Sequence, residues 1–158
     1  MKKYTTPNQH AGFTIIEIVL GIAMITIFLV SNSYYYKKLL DTSQETTRNI
    51  QSGFLLEEGV EAVKLMRDGG WSANIAPLNL GTQYYLQWTG TAWEATTTPQ
   101  IVESVFTRTF TASAVNRAID GTDNIVTSGG AVDSGTMKIR VDVSWISKGN
   151  RATSTKSI

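Results

Sequence analysis

Residues 1–12 are mostly polar, and at Phe13 the chain turns into an apolar run that lasts to Val30 with one charged side chain, Glu17. Eighteen residues at about 1.5 Å rise span roughly 27 Å, close to the roughly 30 Å hydrocarbon core of a bilayer. The run therefore predicts a membrane-spanning helix. The segment 31–69 continues as helix. Tyr34 to Asp68 is rich in helix formers, and Leu39, Leu40, Ile50, Phe54, Ala62, Leu65 and Met66 recur near helical spacing, interrupted by the polar stretch Thr42 to Asn49. Gly53 and Gly59 weaken this pattern by about 1 kcal/mol each relative to Ala. No proline intervenes between Phe13 and Asp68, and Asp68-Gly69-Gly70 supplies the stop.

Beyond Gly70 the period changes from helical to two. Gln83 to Trp88, Gly90 and Trp93 to Ala95 predict a hairpin. Val105 to Val115 places Phe106, Arg108, Phe110, Ala112 and Ala114 on one face. Met137, Ile139, Val141, Val143 and Trp145 alternate with Lys138, Arg140, Asp142 and Ser144, as in a sheet with one solvated side. Asp120 to Thr136 reads as a long exposed loop, and the polar tail from Gly149 shows no convincing final strand. The expected fold class is α+β, a long N-terminal helix packed on a small antiparallel β-sheet over 70–158.

At 158 residues the chain allows one modest domain and a long helix. Its formal net charge is +1, and losing Lys2 and Lys3 with residues 1–12 shifts it by two units to −1; neither value suggests an electrostatic nucleic-acid binder, which would show a basic patch or stripe. Without cysteine there are neither disulfides nor thiolate metal sites, and the single histidine is His10. The usual nucleophile–base pairs are missing downstream, so catalysis would rest on carboxylates alone and no enzyme is expected. Glu57, Glu58 and Glu61 read as the charged face of an exposed helix. Asp120, Asp123 and Asp133 are weak Ca²⁺ candidates whose spacing does not fit an EF-hand. Trp71, Tyr84, Tyr85, Trp88 and Trp93 fit either a partner-facing patch or, more often, a small core.

Glu17 is costly at bilayer depth and marks a functional site in need of a partner. Three ordinary explanations each cover part of the N-terminus. A secretory signal would be cut after its apolar stretch, near Val30-Ser31-Asn32-Ser33; a signal anchor needs only the run; and Thr14-x-x-Glu17 fits a capping box. None accounts together for the Lys-rich leader, the Gly12-Phe13 junction and the intramembrane Glu17. That combination resembles the class III signal of type IV pilins and type II secretion pseudopilins. Glu57-Glu58-Gly59-Val60-Glu61-Ala62-Val63, Met66-Arg67-Asp68 with Trp71, and Val141-x-Val143-Ser144-Trp145 resemble minor members of that family more loosely.

The resemblance implies that a prepilin peptidase removes 1–12, cutting after Gly12 and methylating Phe13, while 13–30 is retained. It implies an N-terminus in the cytoplasm, in line with Lys2 and Lys3 although Lys37 and Lys38 oppose it, and an exported C-terminal domain. The implied partners are the peptidase, other pilin or pseudopilin subunits and an inner-membrane assembly platform. In the assembled filament, Glu17 would pair with the ammonium of Phe13 on a neighbour and set the register. Major type IV pilins commonly kink this helix at a proline, so its absence points to a minor or accessory subunit. A calcium-binding C-terminal loop is known among pseudopilins. The alternatives are a ligand-binding subunit for DNA uptake or adhesion, and a membrane-anchored carboxylate-dependent enzyme.

Overall fold

A computed structural model describes residues 12–158. The long helix α1 runs Ile15–Asp68 and the single turn α2 runs Trp71–Asn74; seven strands follow. They are β1 Gln83–Trp88, β2 Trp93–Thr96, β3 Ile101–Val102, β4 Phe106–Arg117, β5 Ile125–Val126, β6 Ala131–Ser147 and β7 Asn150–Ser157. The chain divides into two units, 1–44 and 45–158.

Among the described residues of the first unit, the apolar side chains of α1 are exposed. No part of the window that is long and apolar enough to cross a membrane is buried. An uncovered run of this length needs an apolar environment from elsewhere.

The second unit is α+β, with the C-terminal part of α1 lying on an antiparallel sheet ordered β2-β1-β4-β6-β7; β3 and β5 also pair with β4. Leu56, Val60, Val63 and Met66 of the helix meet Phe106, Phe110, Ile139, Val141, Val143 and Trp145 of the sheet. Phe110 faces Val141 in register and stacks on Tyr84, with ring centroids 5.6 Å apart. Gly59 sits at the closest approach. A Cβ there would lie 2.8 Å from Cγ1 of Val141, a side chain with no exposed surface. Gly59 is thus the residue that lets helix and sheet touch. Gly59→Ala is expected to destabilise residues 45–158 by about 1 kcal/mol, since overpacking costs about 1–3 kcal/mol and the helix regains about 1. Gly53→Ala, with open space around it, should be neutral or stabilising. Urea denaturation of the two variants side by side checks the contrast.

Helix α1 ends as expected. The Gly69 N–H donates to Leu65 O at 2.8 Å, and Asn74 Nδ2 donates to the otherwise open carbonyl of Met66 at 2.8 Å. The positive φ of 146° falls on Gly70.

Four details depart from the sequence expectation. The buried face of α1 comprises Ser52, Leu56, Gly59, Val60, Ala62, Val63 and Met66, whereas Ile50, Phe54 and Leu65 point outward. In β4 Val115 is buried and Ala114 exposed, and at this point the pairing with β6 jumps from Ala114↔Met137 to Val115↔Asp133, leaving residues 134–136 of β6 out of register as a bulge. Residues 120–136 are not one loop, because β5 pairs with β4 and β6 begins at Ala131. The tail forms β7, an edge strand paired with β6 from Ser147↔Asn150 to Arg140↔Ser157. Its inward positions are small or polar because they meet polar partners: Ser154 Oγ is 3.2 Å from Ser52 Oγ, and Lys156 Nζ is 2.5 Å from Glu57 Oε1. No apolar alternation was available to announce it.

Candidate functional site

Gly12 and Phe13 precede α1 in exposed, irregular backbone, and an added Cβ at Gly12 would meet nothing within 4 Å. The fold of this chain therefore gives no reason for glycine at that position. Residues 1–11, including Lys2, Lys3 and His10, lie outside the described residues. Thr14 is the N-cap of α1, its carbonyl accepting from Glu17 N at 3.1 Å and Ile18 N at 3.3 Å. Glu17, in the first turn, returns one carboxylate oxygen: its Oε2 accepts from Thr14 N at 3.3 Å and Thr14 Oγ1 at 3.4 Å. The reciprocal half of a capping box is thus present. Both bonds are longer than the usual 2.7–3.2 Å range for N–H donors, or its O–H counterpart, and both use one oxygen. Glu17 is exposed, and its carboxylate keeps capacity for a stronger partner.

The acidic residues of α1 are committed elsewhere. Glu61 pairs with Lys64 at 2.7 Å and Glu57 with Lys156. Glu58 Oε2 lies 2.8 Å from Arg108 Nη1, whose side chain is only 4% exposed against 50% for Glu58. That contact is an ion pair without hydrogen-bond alignment, and Arg108 Nε has no acceptor among the described residues. The guanidinium also lies over Trp93, 5.1 Å from the ring centroid. Arg108 is therefore a cation buried in the sheet's inner face. Its position between Phe106 and Phe110 in the period-two pattern was the available signal, but a single charge on an apolar face carries little weight without its partner.

The three loop aspartates are not gathered into one carboxylate site. Asp120 accepts from Thr122 N at 3.0 Å and Thr122 Oγ1 at 2.6 Å, closing its own turn. Arg117 stands between the other two: Nε donates to Asp133 Oδ2 at 2.7 Å, Nη1 donates to the Asp123 carbonyl at 2.8 Å, and the Asp123 carboxylate is 3.7 Å from Nε. Hydrogen bonds from Thr136, Arg117 and Gly135 N hold the Asp133 carboxyl down at about 2. A resident guanidinium does the charge-neutralising work that a cation would do there. No group of three or more His, Cys, Asp or Glu side chains that could hold a metal occurs among the described residues.

The aromatic residues divide. Tyr84 is buried and its hydroxyl accepts from Asn79 N at 3.0 Å; Trp71 and Trp93 pack against the core. Tyr85 is half-buried, and Trp88 is exposed, 5.5 Å from Trp93 across the β1–β2 hairpin. The two tryptophans, with Met66, Gly69 and Asn74, line a groove of about 460 Å³. Compared with protein-family models, with curated proteins and with solved structures, the chain finds no match in any of the three.

Proposed function

We propose that the chain is a structural subunit of the pilin or pseudopilin type, a minor one, and not an enzyme. It is inserted through residues 13–30 with its N-terminus in the cytoplasm, cleaved after Gly12 by a prepilin peptidase, methylated on Phe13 and assembled with other such subunits on an inner-membrane platform. The observation that carries this reading is Glu17 at the third position of an exposed, apolar helix, directly after a Gly-Phe junction where the fold itself makes no demand for glycine.

Helix packing within a filament would cover what the single chain leaves bare. Apolar side chains from Phe13 to Val30, and Phe54 at 71% exposure further along α1, stand exposed among the described residues. Cleavage would turn Phe13 N into an ammonium. Glu17, held only by two long bonds to Thr14, would gain a full countercharge from that group on a neighbouring subunit. The helix dipole favours a carboxylate at the same place. The sheet-bearing unit would then lie outside the bundle of helices.

Processing is the direct test. Co-expression with a prepilin peptidase is expected to yield a chain starting at N-methyl-Phe13, and Gly12→Val should leave the precursor uncut although it fits the fold. N-terminal mass spectrometry reads the result. A mature start near Ser33 would refute the proposal and make the apolar run an ordinary secretory signal.

A further inference from the structure

Just past Val30, where the apolar run ends, α1 carries Tyr34, Tyr35 and Tyr36 followed by Lys37 and Lys38. The three rings are 73, 61 and 65% exposed. Neither lysine forms an ion pair among the described residues, and Asp41, the nearest carboxylate in sequence, engages neither. Tyr34 and Tyr35 precede Lys38 by four and three residues, so two phenol rings and one ammonium share a helix face. With Leu39 and Thr42 they line a shallow groove of about 310 Å³.

Position along the helix says what can occupy this groove. At about 1.5 Å per residue, Tyr34 stands roughly 6 Å beyond Val30 and Lys38 roughly 12 Å. The headgroup layer beyond the hydrocarbon is about 5–8 Å deep. Side chains of a helix lean towards its N-terminus, so the Lys38 ammonium reaches back into that layer. Tyrosine is enriched at this depth because its ring is apolar and its hydroxyl wet.

We infer that the Tyr34–Tyr35–Lys38 groove binds the headgroup of an anionic phospholipid. The phosphodiester meets the Lys38 ammonium and the tyrosine hydroxyls, and the acyl chains follow the apolar helix surface below. Lys37 lies outside the groove and adds only general attraction. The inference rests on the membrane-spanning reading of residues 13–30.

The test uses the full chain with Lys2 and Lys3 changed to Gln in every arm, so that the cations near the bilayer are those in question. Alkaline carbonate washing of loaded vesicles first asks whether the chain spans. Chains are then placed one per nanodisc in equal phosphatidylcholine and phosphatidylglycerol, and retained lipids are counted by native mass spectrometry. Phosphatidylglycerol is expected in roughly fivefold excess, the effect of one lysine near an anionic surface. Lys38→Gln should bring the ratio close to one, while Lys37→Gln keeps most of the excess. Equal retention of both lipids in the parent, or equal losses in the two variants, overturns the site while leaving the span intact. Release of the chain by carbonate would refute the spanning reading, and the site with it.

Discussion

Glu58→Ala is expected to lower the stability of residues 45–158 by about 3 kcal/mol, the low end of the cost of orphaning one partner of a buried ion pair. The low end applies because Glu58 is itself half exposed, while the Arg108 side chain it faces at 2.8 Å is 4% exposed. Trp93 under the guanidinium softens the loss without supplying a negative charge. Arg108→Met should behave quite differently. It removes the charge together with its desolvation cost and leaves an apolar stem among Phe106, Phe110 and Gly59, so a change under about 1 kcal/mol is expected. In Arg108→Met the further change Glu58→Ala should then cost almost nothing. Urea denaturation of the four chains over residues 45–158, a compact unit holding both positions, closes a double-mutant cycle. Additive effects would mean that the pair contributes nothing and that Arg108 is neutralised by other means.

Glu17→Val separates the helix-cap contacts of this carboxylate from the proposed assembly role. As a helix cap, Glu17 takes two long hydrogen bonds from Thr14, and their loss would cost about 1 kcal/mol or less. As the countercharge to a neighbour's Phe13 ammonium in a low-dielectric filament core, its loss leaves that ammonium buried and unpaired, at several kcal/mol per contact. The variant is expected to insert in the membrane at least as well as wild type, to be cut after Gly12 nearly as well, and to be largely absent from filaments. Sheared filaments or pseudopili from cells with matched membrane levels of the two chains provide the measurement. Equal incorporation would leave Glu17 as a cap and remove it from assembly.

Local, periodic signals are legible in the sequence alone. The uninterrupted helix to Asp68, the hairpin of β1 and β2 around Gly90, and the inward row Ile139, Val141, Val143 and Trp145 follow from proline placement, turn chemistry and the two periodicities. The junction at Gly12, Phe13 and Glu17 stands out in the sequence as well, and its part in processing and assembly is a proposal that the experiments above test.

What tertiary structure alone decided depends on contacts between distant residues. Ile50 and Phe54 fit a helical stripe, yet the sheet covers Ser52, Leu56 and Gly59 instead, since polar β7 offers Ser154 and Lys156 to that face. The same pairing hides β7 from a pattern search, for its alternation is between polar residues with and without partners. The change of buried face from Ala114 to Val115 coincides with a bulge over residues 134–136 of the partner strand β6, and nothing local in β4 marks it. Gly59 reads as a weak point in the helix until Val141 is placed 2.8 Å from its missing Cβ. Asp123 and Asp133 read as candidate calcium ligands until Arg117 is found between them. In each case the residue is ordinary in its own segment, and its role is set by a partner brought close only by folding.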